Sequence, residues 1–339
     1  MRSAVTMHDV AALAHVSIKT VSNVVNDFPH VRPATRERVE AAIKELGYQL
    51  NASASNLRRG RTGVVGLVLP ELSVPYFAEL ADAVMAAADA RGVSVLIEVT
   101  GAQRERELQA LRSPRRSLTD GLLFSPAAMS QEDVGALAVD FPVVLLGERI
   151  FDGGVDHVTM ANVAGARAAT HHLLARGARR IAVIGREASD GRTDSASLRI
   201  AGYREALAQA GVPFDPELIL DAQLWHRSQG SAAIGRALDA GVQFDAVFGL
   251  NDALALGAMH MLHQRRISVP DQVAVIGFDD VEDAAYATPP LSSITPGRDE
   301  IAATALDFLL ERIELGEAAG PPRQVLAQFA VAERESSAR

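Results

Sequence analysis

A short segment near the amino terminus carries side chains with the chemistry needed to recognise the edges of DNA bases. Ile18 offers methyl groups for a thymine methyl, Lys19 is a donor for guanine, and the amide of Asn23 can pair bidentately with adenine. Helical spacing places Ser22 on the same face, opposite an apolar side formed by Val21, Val24 and Val25. Any small helical unit with a solvated face has this pattern, so the spacing alone leaves DNA binding and a plain surface as alternatives.

Three short helices are predicted to position this face. Thr6, with Asp9 three residues later, is typical of a capped helix start, and Ser17 offers a second cap after a tight turn. Pro33 favours the first turn of a third helix, and Gly47 favours its end. The predicted helices span about 7–14, 18–26 and 33–46. The first two are so close in sequence that they must cross sharply, as in a helix-turn-helix.

Charge is distributed unevenly along the chain. The formal net charge is -9, but residues 1–62 carry nine Lys and Arg against five Asp and Glu and are therefore basic. A basic head on an acidic body suits a local phosphate-binding surface whose body resists nonspecific adhesion.

A polar segment of small residues, 51–62, follows the predicted third helix and contains one large apolar side chain, Leu57. By composition it is typical of a flexible linker. We therefore predict a helix-turn-helix head over 1–50, which is the candidate DNA-binding domain, a hinge or linker over 51–62, and a core over 63–339.

The core alternates short apolar runs with helical patterns, which is typical of parallel sheets flanked by helices. Its length is sufficient for two such sheets. The predicted strands are 64–69, 93–99, 121–124, 143–146, 181–184, 246–250 and 273–278.

Polar and aromatic side chains follow several of these strands, at the position where ligands bind to parallel α/β sheets. They are Tyr76, Phe77, Ser125, Glu148, Asn251 and Asp279. Each has a structural alternative, because Asn251 and Asp252 could cap the following helix and Asp279 could begin a turn.

The amino-acid sequence of the head resembles that of the lac repressor (LacI/GalR) family. The resemblance is carried by Asp9-Val10-Ala11-Ala12-Leu13-Ala14, Val16-Ser17, Thr20-Val21-Ser22, Val25-Asn26, Thr35-Arg36-Glu37-Arg38-Val39 and Leu46-Gly47-Tyr48. Three positions depart from the family pattern. His15 stands at a turn that usually has Gly or Asn, Arg32 replaces a hydroxyl cap, and Asn23 replaces a base-contacting Arg or His. The resemblance therefore implies the binding mode more firmly than the target sequence.

For the head, the resemblance implies contacts to double-stranded operator DNA. The implied DNA-binding residues are Thr6, Ser17, Ile18, Lys19, Thr20, Ser22, Asn23, Asn26, Asn51, Ala54, Leu57 and Arg58. The linker is implied to fold on DNA into a hinge helix that inserts Leu57 into the minor groove. Two hinges side by side are needed, which implies a homodimer, and the chain has no heptads for a tetramerising coil.

For the core, the resemblance implies a two-lobed, type I periplasmic-binding-protein fold with a small-molecule effector in its cleft. Lobe one would span 63–162 and 293–339, and lobe two 163–292. Beyond the strand-end residues, the effector-binding candidates are Thr193, Ser195, Arg199 and Trp225. A carboxylate, an amide, a guanidinium and a flat aromatic together suit a sugar or sugar derivative, as inducer or corepressor. The usual Asp before Asn162 is Ala161, which weakens the expectation that this position bridges the lobes.

Other function classes receive less support. The chain has no cysteine, no glycine-rich phosphate loop, and only the pair His260 and His263 at helical spacing, so we predict no metal, no cofactor and no enzyme. His171 and His172 are predicted to lie on a helix surface. The absence of an apolar run or signal segment predicts a cytoplasmic, nucleoid-associated protein with no membrane partner. A transporter's solute receptor would suit the core alone, but it would require an export signal and would not explain the basic head.

Overall fold

The computed structural model describes residues 5–25, 28–48, 61–113, 117–186 and 194–338. The chain forms two compact units that divide between Gly63 and Val64. The first unit is a helical head and the second is an α/β core. Most of the predicted hinge, including Leu57, lies outside the described residues.

The head consists of three helices, α1 (Met7–Leu13), α2 (Ile18–Val25) and α3 (Pro33–Leu46). The helix α1 begins as predicted, because Asp9 Oδ2 accepts hydrogen bonds from the backbone N–H and the hydroxyl of Thr6 at 2.8 and 2.7 Å. The start of α2 is capped by Ser17, whose Oγ accepts from the backbone N–H of Thr20 at 3.1 Å. The side chains buried between the helices are Val10, Ala11, Ala14, Val21, Val24, Val39, Ala42 and Tyr48.

Two residues with left-handed backbone conformation shape the ends of these helices. The turn between α1 and α2 passes through His15 with φ 52°, a conformation that His adopts more readily than most side chains. Gly47 ends α3 with φ 61°. Arg32, which precedes α3, makes no capping hydrogen bond through its side chain, in agreement with the missing hydroxyl.

The core consists of strands and helices in near-regular alternation. The described strands are β1 (Val64–Leu69), β2 (Ser94–Val99), β3 (Leu122–Phe124), β4 (Val143–Leu146), β5 (Asp156–Thr159), β6 (Ile181–Ile184), β7 (Ile219–Leu220), β8 (Ala246–Gly249), β9 (Ala274–Ile276), β10 (Ser293–Thr295), β11 (Gln324–Leu326) and β12 (Ala330–Ala332). The α-helices are α4 (Pro75–Asp89), α5 (Arg104–Arg112), α6 (Asn162–Ala175), α7 (Ser195–Gln209), α8 (Arg227–Asp239), α9 (Asp252–Gln264), α10 (Glu282–Ala285) and α11 (Arg298–Leu315). Short 3-10 helices span Gln131–Leu137, Pro216–Leu218, Gly316–Ala319 and Glu335–Ser337.

These elements form two parallel sheets, one in each lobe. The first has the order β11-β5-β4-β3-β1-β2, and the second has the order β7-β6-β8-β9. Every described pair of strands within these two sheets is parallel. The predicted two-lobed fold with parallel sheets and a helical head is confirmed.

The helices α6 and α7 pack closely in the second lobe because α7 presents Gly202 to α6. A Cβ added to Gly202 would overlap the carbonyl oxygen of Val163. The hydroxyl of Tyr203, on the next residue, is buried and donates to the carbonyl of Ile181 at 2.9 Å. The approach of the two helices therefore fixes the position of α7, which carries Arg199.

The carboxyl-terminal segment packs on the second lobe, whereas the sequence assigned all of 293–339 to the first. Strand β10 pairs with β12, and Ser336 Oγ donates to the carbonyl of Val275 in β9 at 2.7 Å. His172, which was predicted on a surface, is buried, and its Nε2 lies 2.6 Å from Ser337 Oγ. Long-range hydrogen bonds thus bind the end of the chain to the second lobe, whereas α11 and β11, with the segment between them, belong to the first.

A buried carboxylate joins three elements of the first lobe. Asp156 is fully buried, and its oxygens lie 2.9 Å from the guanidinium groups of both Arg312 and Arg323. Burial acts to raise the pKa of Asp156, but hydrogen bonds from these two arginines outweigh it and lower the pKa to about 2. The aspartate stays ionised at neutral pH and fastens β5 to α11 and to the segment that leads into β11.

Candidate functional site

The outer face of α2 is the candidate DNA-contacting surface of the head. Ile18 is 38% exposed, Lys19 is exposed, and Ser22 and Asn23 are half-buried on the same helix. Ser17 and Thr20 lie at the helix start with their hydroxyl oxygens 2.9 Å apart. Thr6 caps α1. The remaining candidates lie outside the described residues: Asn26, Asn51, Ala54, Leu57 and Arg58.

A cleft of about 480 Å³ lies between the two lobes of the core. The predicted effector-binding residues of the first lobe that line it are Tyr76, Phe77 and Ser125. Those of the second lobe are Ser195, Arg199, Trp225, Asn251 and Asp279. Thr193 lies outside the described residues. The fold thus brings the eight described candidates to one cavity, and their contact with an effector stays a prediction.

Arg199 is the cation at the buried part of this lining. Only 2% of it is exposed, and its Nε donates to Asn162 Oδ1 at 2.7 Å while Nη1 donates to the carbonyl of Leu250. Its guanidinium carbon lies 3.6 Å from the centre of the Phe278 ring and 5.3 Å from that of Trp225. Stacking and hydrogen bonds therefore hold the guanidinium in one orientation.

Glu148 connects the two lobes at this point. It follows β4 in the first lobe, is 7% exposed, and accepts a hydrogen bond from Ser195 Oγ of the second lobe at 2.7 Å. Asn162 Nδ2 and Thr159 Oγ1 donate to its other oxygen at 2.7 and 3.1 Å. Since Asn162 also accepts from Arg199, one amide links the carboxylate of one lobe to the guanidinium of the other.

Asn162 was not among the predicted site residues, and Glu148 was noted only as a strand-end residue. The position of Glu148 after β4 was the signal available for it in the sequence. For Asn162, the Ala161 at the preceding position weakened the expectation of a bridge between the lobes. The sequence alone could not show that the Asn162 amide makes hydrogen bonds with both Glu148 and Arg199.

Among the described carboxylates that line the cleft, Asp279 has the fewest partners. Its Oδ1 lies 3.6 Å from Arg199 Nη2, and among the described residues its carboxylate accepts no hydrogen bond. Burial raises the pKa of Asp279 to about 7, against the opposing effect of Arg199 and Arg298. Its backbone has φ 109°, a strained conformation for a residue with a side chain. The fold therefore maintains an acceptor at this position against both strain and desolvation.

The helix-capping alternative is observed for Asn251, whereas Asp252 has a different structural role. Asn251 Oδ1 caps α9 by accepting from the backbone N–H of Leu254 at 2.8 Å, and its Nδ2 donates to the carbonyl of Trp225 at 3.2 Å. Asp252 is fully buried and accepts from Ser293 Oγ at 2.6 Å. Asn251 thus shapes the cleft near the indole, and Asp252 joins structural elements behind it.

One ion pair and one histidine–carboxylate contact also link the lobes near the more exposed part of the lining. Arg149 Nη1 lies 3.7 Å from Asp194 Oδ2, and His226 Nε2 lies 3.5 Å from Glu71 Oε2. Their side chains are between 17% and 33% exposed, so water screens these contacts more than the Glu148 contact.

The loop that follows β3 forms one wall of the cleft and is held by a single carboxylate. Glu107, fully buried on α5, accepts hydrogen bonds of 2.7 to 3.1 Å from the backbone N–H groups of Ala127, Ala128 and Met129. Ser125, Pro126 and Ala127 of the same loop line the cleft. The position of this wall therefore depends on a side chain that does not itself line the cavity.

The part of the chain that the structure describes contains no group of three His, Asp or Glu side chains arranged to hold a metal ion. Within the same residues, no helix has the length and hydropathy needed to cross a bilayer.

A helix-turn-helix head and a two-lobed core with a polar cleft together define a ligand-responsive DNA-binding regulator. Residues 6–51 match the bacterial regulatory proteins of the lacI family, and residues 170–337 match the periplasmic binding protein-like domain. The chain is 35% identical to the ribose operon repressor of Escherichia coli over 91% of this chain and 93% of that protein.

Solved structures agree with this relationship. A LacI-family transcriptional regulator from Sanguibacter keddieii is 49% identical, with a TM-score of 0.76 over 82% of this chain and 99% of that one. The lac repressor dimer bound to operator and the anti-inducer ONPF is 27% identical, with a TM-score of 0.80 over 99% of both chains. The chain belongs to the lacI family of bacterial transcriptional regulators, which confirms the resemblance seen in the head.

Proposed function

We propose that this regulator is a homodimeric repressor of carbohydrate-utilisation genes whose hold on a pseudo-palindromic operator is controlled by a sugar-like effector. The observation that carries the proposal is the convergence of Arg199, Asp279 and Trp225 on one cleft between the lobes. A fixed guanidinium and a carboxylate that accepts no hydrogen bond from the described residues suit vicinal hydroxyls, and an indole suits the apolar face of a sugar ring. The cleft is assigned a binding role and no catalytic step.

Support for the DNA-binding half of the proposal comes from α2. The exposed Ile18 and Lys19 project from a helix that packs on α1 and α3 through its other side. One such helix reads only a half-site, so two copies are proposed to bind the two halves of an operator. A lac repressor dimer bound to operator is among the structures that this chain resembles. The proposed place of action is DNA of the nucleoid in the cytoplasm.

Effector and operator are proposed to be coupled through the angle between the lobes. The hydrogen bond between Glu148 and Ser195 joins the lobes, so a ligand that changes this contact also changes their relative position. A coupling of about 1 to 3 kcal/mol would shift DNA affinity roughly 5- to 150-fold. For a sugar inducer the shift lowers affinity for the operator, and for a corepressor it raises that affinity.

The experiment that tests the DNA-binding half is selection of bound DNA from a random pool, followed by gel shift at several salt concentrations. We expect a sequence with two symmetric half-sites and an affinity that falls steeply with salt. Absence of sequence-selective binding at every effector condition would refute the repressor function.

The effector half is tested by fluorescence, because Trp225 is the single tryptophan of the chain. A sugar that stacks on its indole should change the emission, and Trp225→Phe should abolish that signal. A sugar that releases the operator without any change in emission would show that the indole does not contact the effector.

A further inference from the structure

The volume of the cleft bears on the size of its ligand. At about 30 Å³ for each molecule of liquid water, 480 Å³ corresponds to about 16 water molecules. A pentose has about ten non-hydrogen atoms, and covalently linked atoms pack more densely than separate water molecules. Ligand sites generally enclose most of the ligand surface, so a lone sugar ring would leave much of this cleft filled with water.

The charges of the lining bear on the charge of the ligand. Each arginine that lines the cleft already has a carboxylate within 3.9 Å: Arg199 with Asp279 at 3.6 Å, Arg149 with Asp194 at 3.7 Å, and Arg186 with Asp221 at 3.9 Å. Glu71 and Glu148 add two further carboxylates to the same wall. The described lining therefore offers no cation in excess for a phosphate or carboxylate group of a ligand.

The lining also changes in character between its buried and its exposed parts. Tyr76, Ser125 and Asp279 are no more than 8% exposed and present polar groups. Burial raises the pKa of the Tyr76 hydroxyl, which keeps it a neutral donor. Leu224, by contrast, lines the same cleft and is 58% exposed, next to the half-buried Trp225. The buried part suits the hydroxyls of one ring, and the exposed part offers an apolar surface to a second unit.

We infer that the effector is an uncharged glycoside of at least two units, with one ring at the buried polar end and a second unit against Leu224. This inference rests on the proposed function, in which the cleft binds a sugar. It excludes free pentoses, sugar phosphates and sugar acids as the tight-binding effector. The exposed apolar area of Leu224 becomes buried only when the second unit is present, so affinity depends on it.

The test is isothermal titration calorimetry of the full-length protein with defined probes. These are the monosaccharides D-ribose, D-glucose and D-galactose, the disaccharides cellobiose, maltose and lactose, and D-glucose 6-phosphate. We expect one disaccharide to bind at least about tenfold more tightly than either of its component monosaccharides, and the phosphate ester to bind no better than glucose.

A pair of matched variants locates the second unit. Leu224→Ser should weaken disaccharide binding about fivefold and monosaccharide binding by less than about twofold. Leu326, on β11, is also 58% exposed but does not line the cleft, so Leu326→Ser should leave both affinities unchanged. Equal losses for the two ligand sizes in the Leu224 variant would overturn the assignment of the second unit.

The remaining outcomes separate the inference from the proposed function. A monosaccharide or the phosphate ester that binds more tightly than every disaccharide overturns the inference and leaves a sugar-responsive regulator in place. Heat of binding from none of the seven probes overturns the sugar-binding function of the cleft and the inference with it.

Discussion

Replacing Asp279 with asparagine separates the function of this carboxylate from its cost to stability. Asp279 is 5% exposed, and burial raises its pKa to about 7. An effector hydroxyl that donates to the ionised carboxylate forms a stronger hydrogen bond than one that meets the protonated acid. Effector binding should therefore favour the ionised form and lower the pKa of Asp279, so that affinity rises with pH.

The size of the effect follows from this pKa. At pH 6 about a tenth of the protein has an ionised Asp279 and at pH 8 about nine-tenths, so effector affinity should rise nearly tenfold across this range. The pKa is about 3 units above the usual 3.8, and each unit is equivalent to about 1.4 kcal/mol. Because the folded pKa of Asp279 is raised, the contribution of this one group to stability is most favourable below pH 4 and becomes unfavourable as pH rises towards 7. Asp279→Asn should thus increase the free energy of unfolding at pH 8 by up to about 4 kcal/mol.

Effector affinity is measured by calorimetry between pH 6 and 8, and stability by urea unfolding at pH 8. We expect Asp279→Asn to bind the effector weakly, with no dependence on pH, while it unfolds at higher urea. Asp280→Asn is the matched control, because its carboxylate pairs with Arg334 at 2.7 Å and does not line the cleft. That variant should keep the pH dependence and lose stability. An unchanged pH slope in Asp279→Asn would refute the reasoning.

Three further changes test the other parts of the molecule. Asp156→Asn should lower the free energy of unfolding at pH 7 by about 3 kcal/mol, because it leaves two arginines without their buried partner. In the wild type, this contribution to stability should be lost as pH falls from about 4 to 2. A decrease of less than about 1 kcal/mol in the free energy of unfolding of the variant, measured with urea, would contradict this prediction. Lys19→Ala should relax preference at one operator position by about 1 to 3 kcal/mol in selection experiments, whereas Lys44→Ala on α3 should not. Glu107→Gln should reduce effector affinity about threefold or more in calorimetry, because it weakens the hydrogen bonds that hold the loop after β3. Operator affinity in the absence of effector should not change. Equal losses of both affinities would indicate a general folding defect.

Six of the seven strands that local pattern predicted are apolar and buried along nearly their whole length, whereas β2 is more exposed. All seven predicted runs contain an observed strand, with ends that differ by at most two residues. The strand β5 was missed because it begins with Asp156 and His157, two polar residues that are both buried. The partners that permit the burial of Asp156 lie 156 and 167 residues further along the chain. No local window contains that information.

The same limit applies to the site. Residues at strand ends were predictable because parallel strands end at one edge of a sheet, and the eight described candidates do share one cleft. His172 was misplaced because its partner Ser337 is 165 residues away. Asn162 was missed because its two hydrogen bonds, to Glu148 and from Arg199, join residues that are 14 and 37 positions away in the chain.

Two carboxylates of the cleft accept different numbers of hydrogen bonds, and this difference determines where a bound effector can add the most binding energy. Glu148 already accepts three hydrogen bonds, whereas among the described residues Asp279 accepts none through its carboxylate. A hydrogen bond from an effector hydroxyl to the ionised carboxylate is worth about 1.5 to 3 kcal/mol, which is comparable to the roughly 1 to 3 kcal/mol that an allosteric coupling typically requires. One effector hydroxyl bound to Asp279 in only one arrangement of the lobes could therefore supply the whole regulatory coupling. Sugars that fill the cleft but lack that hydroxyl should compete with the effector without altering affinity for the operator.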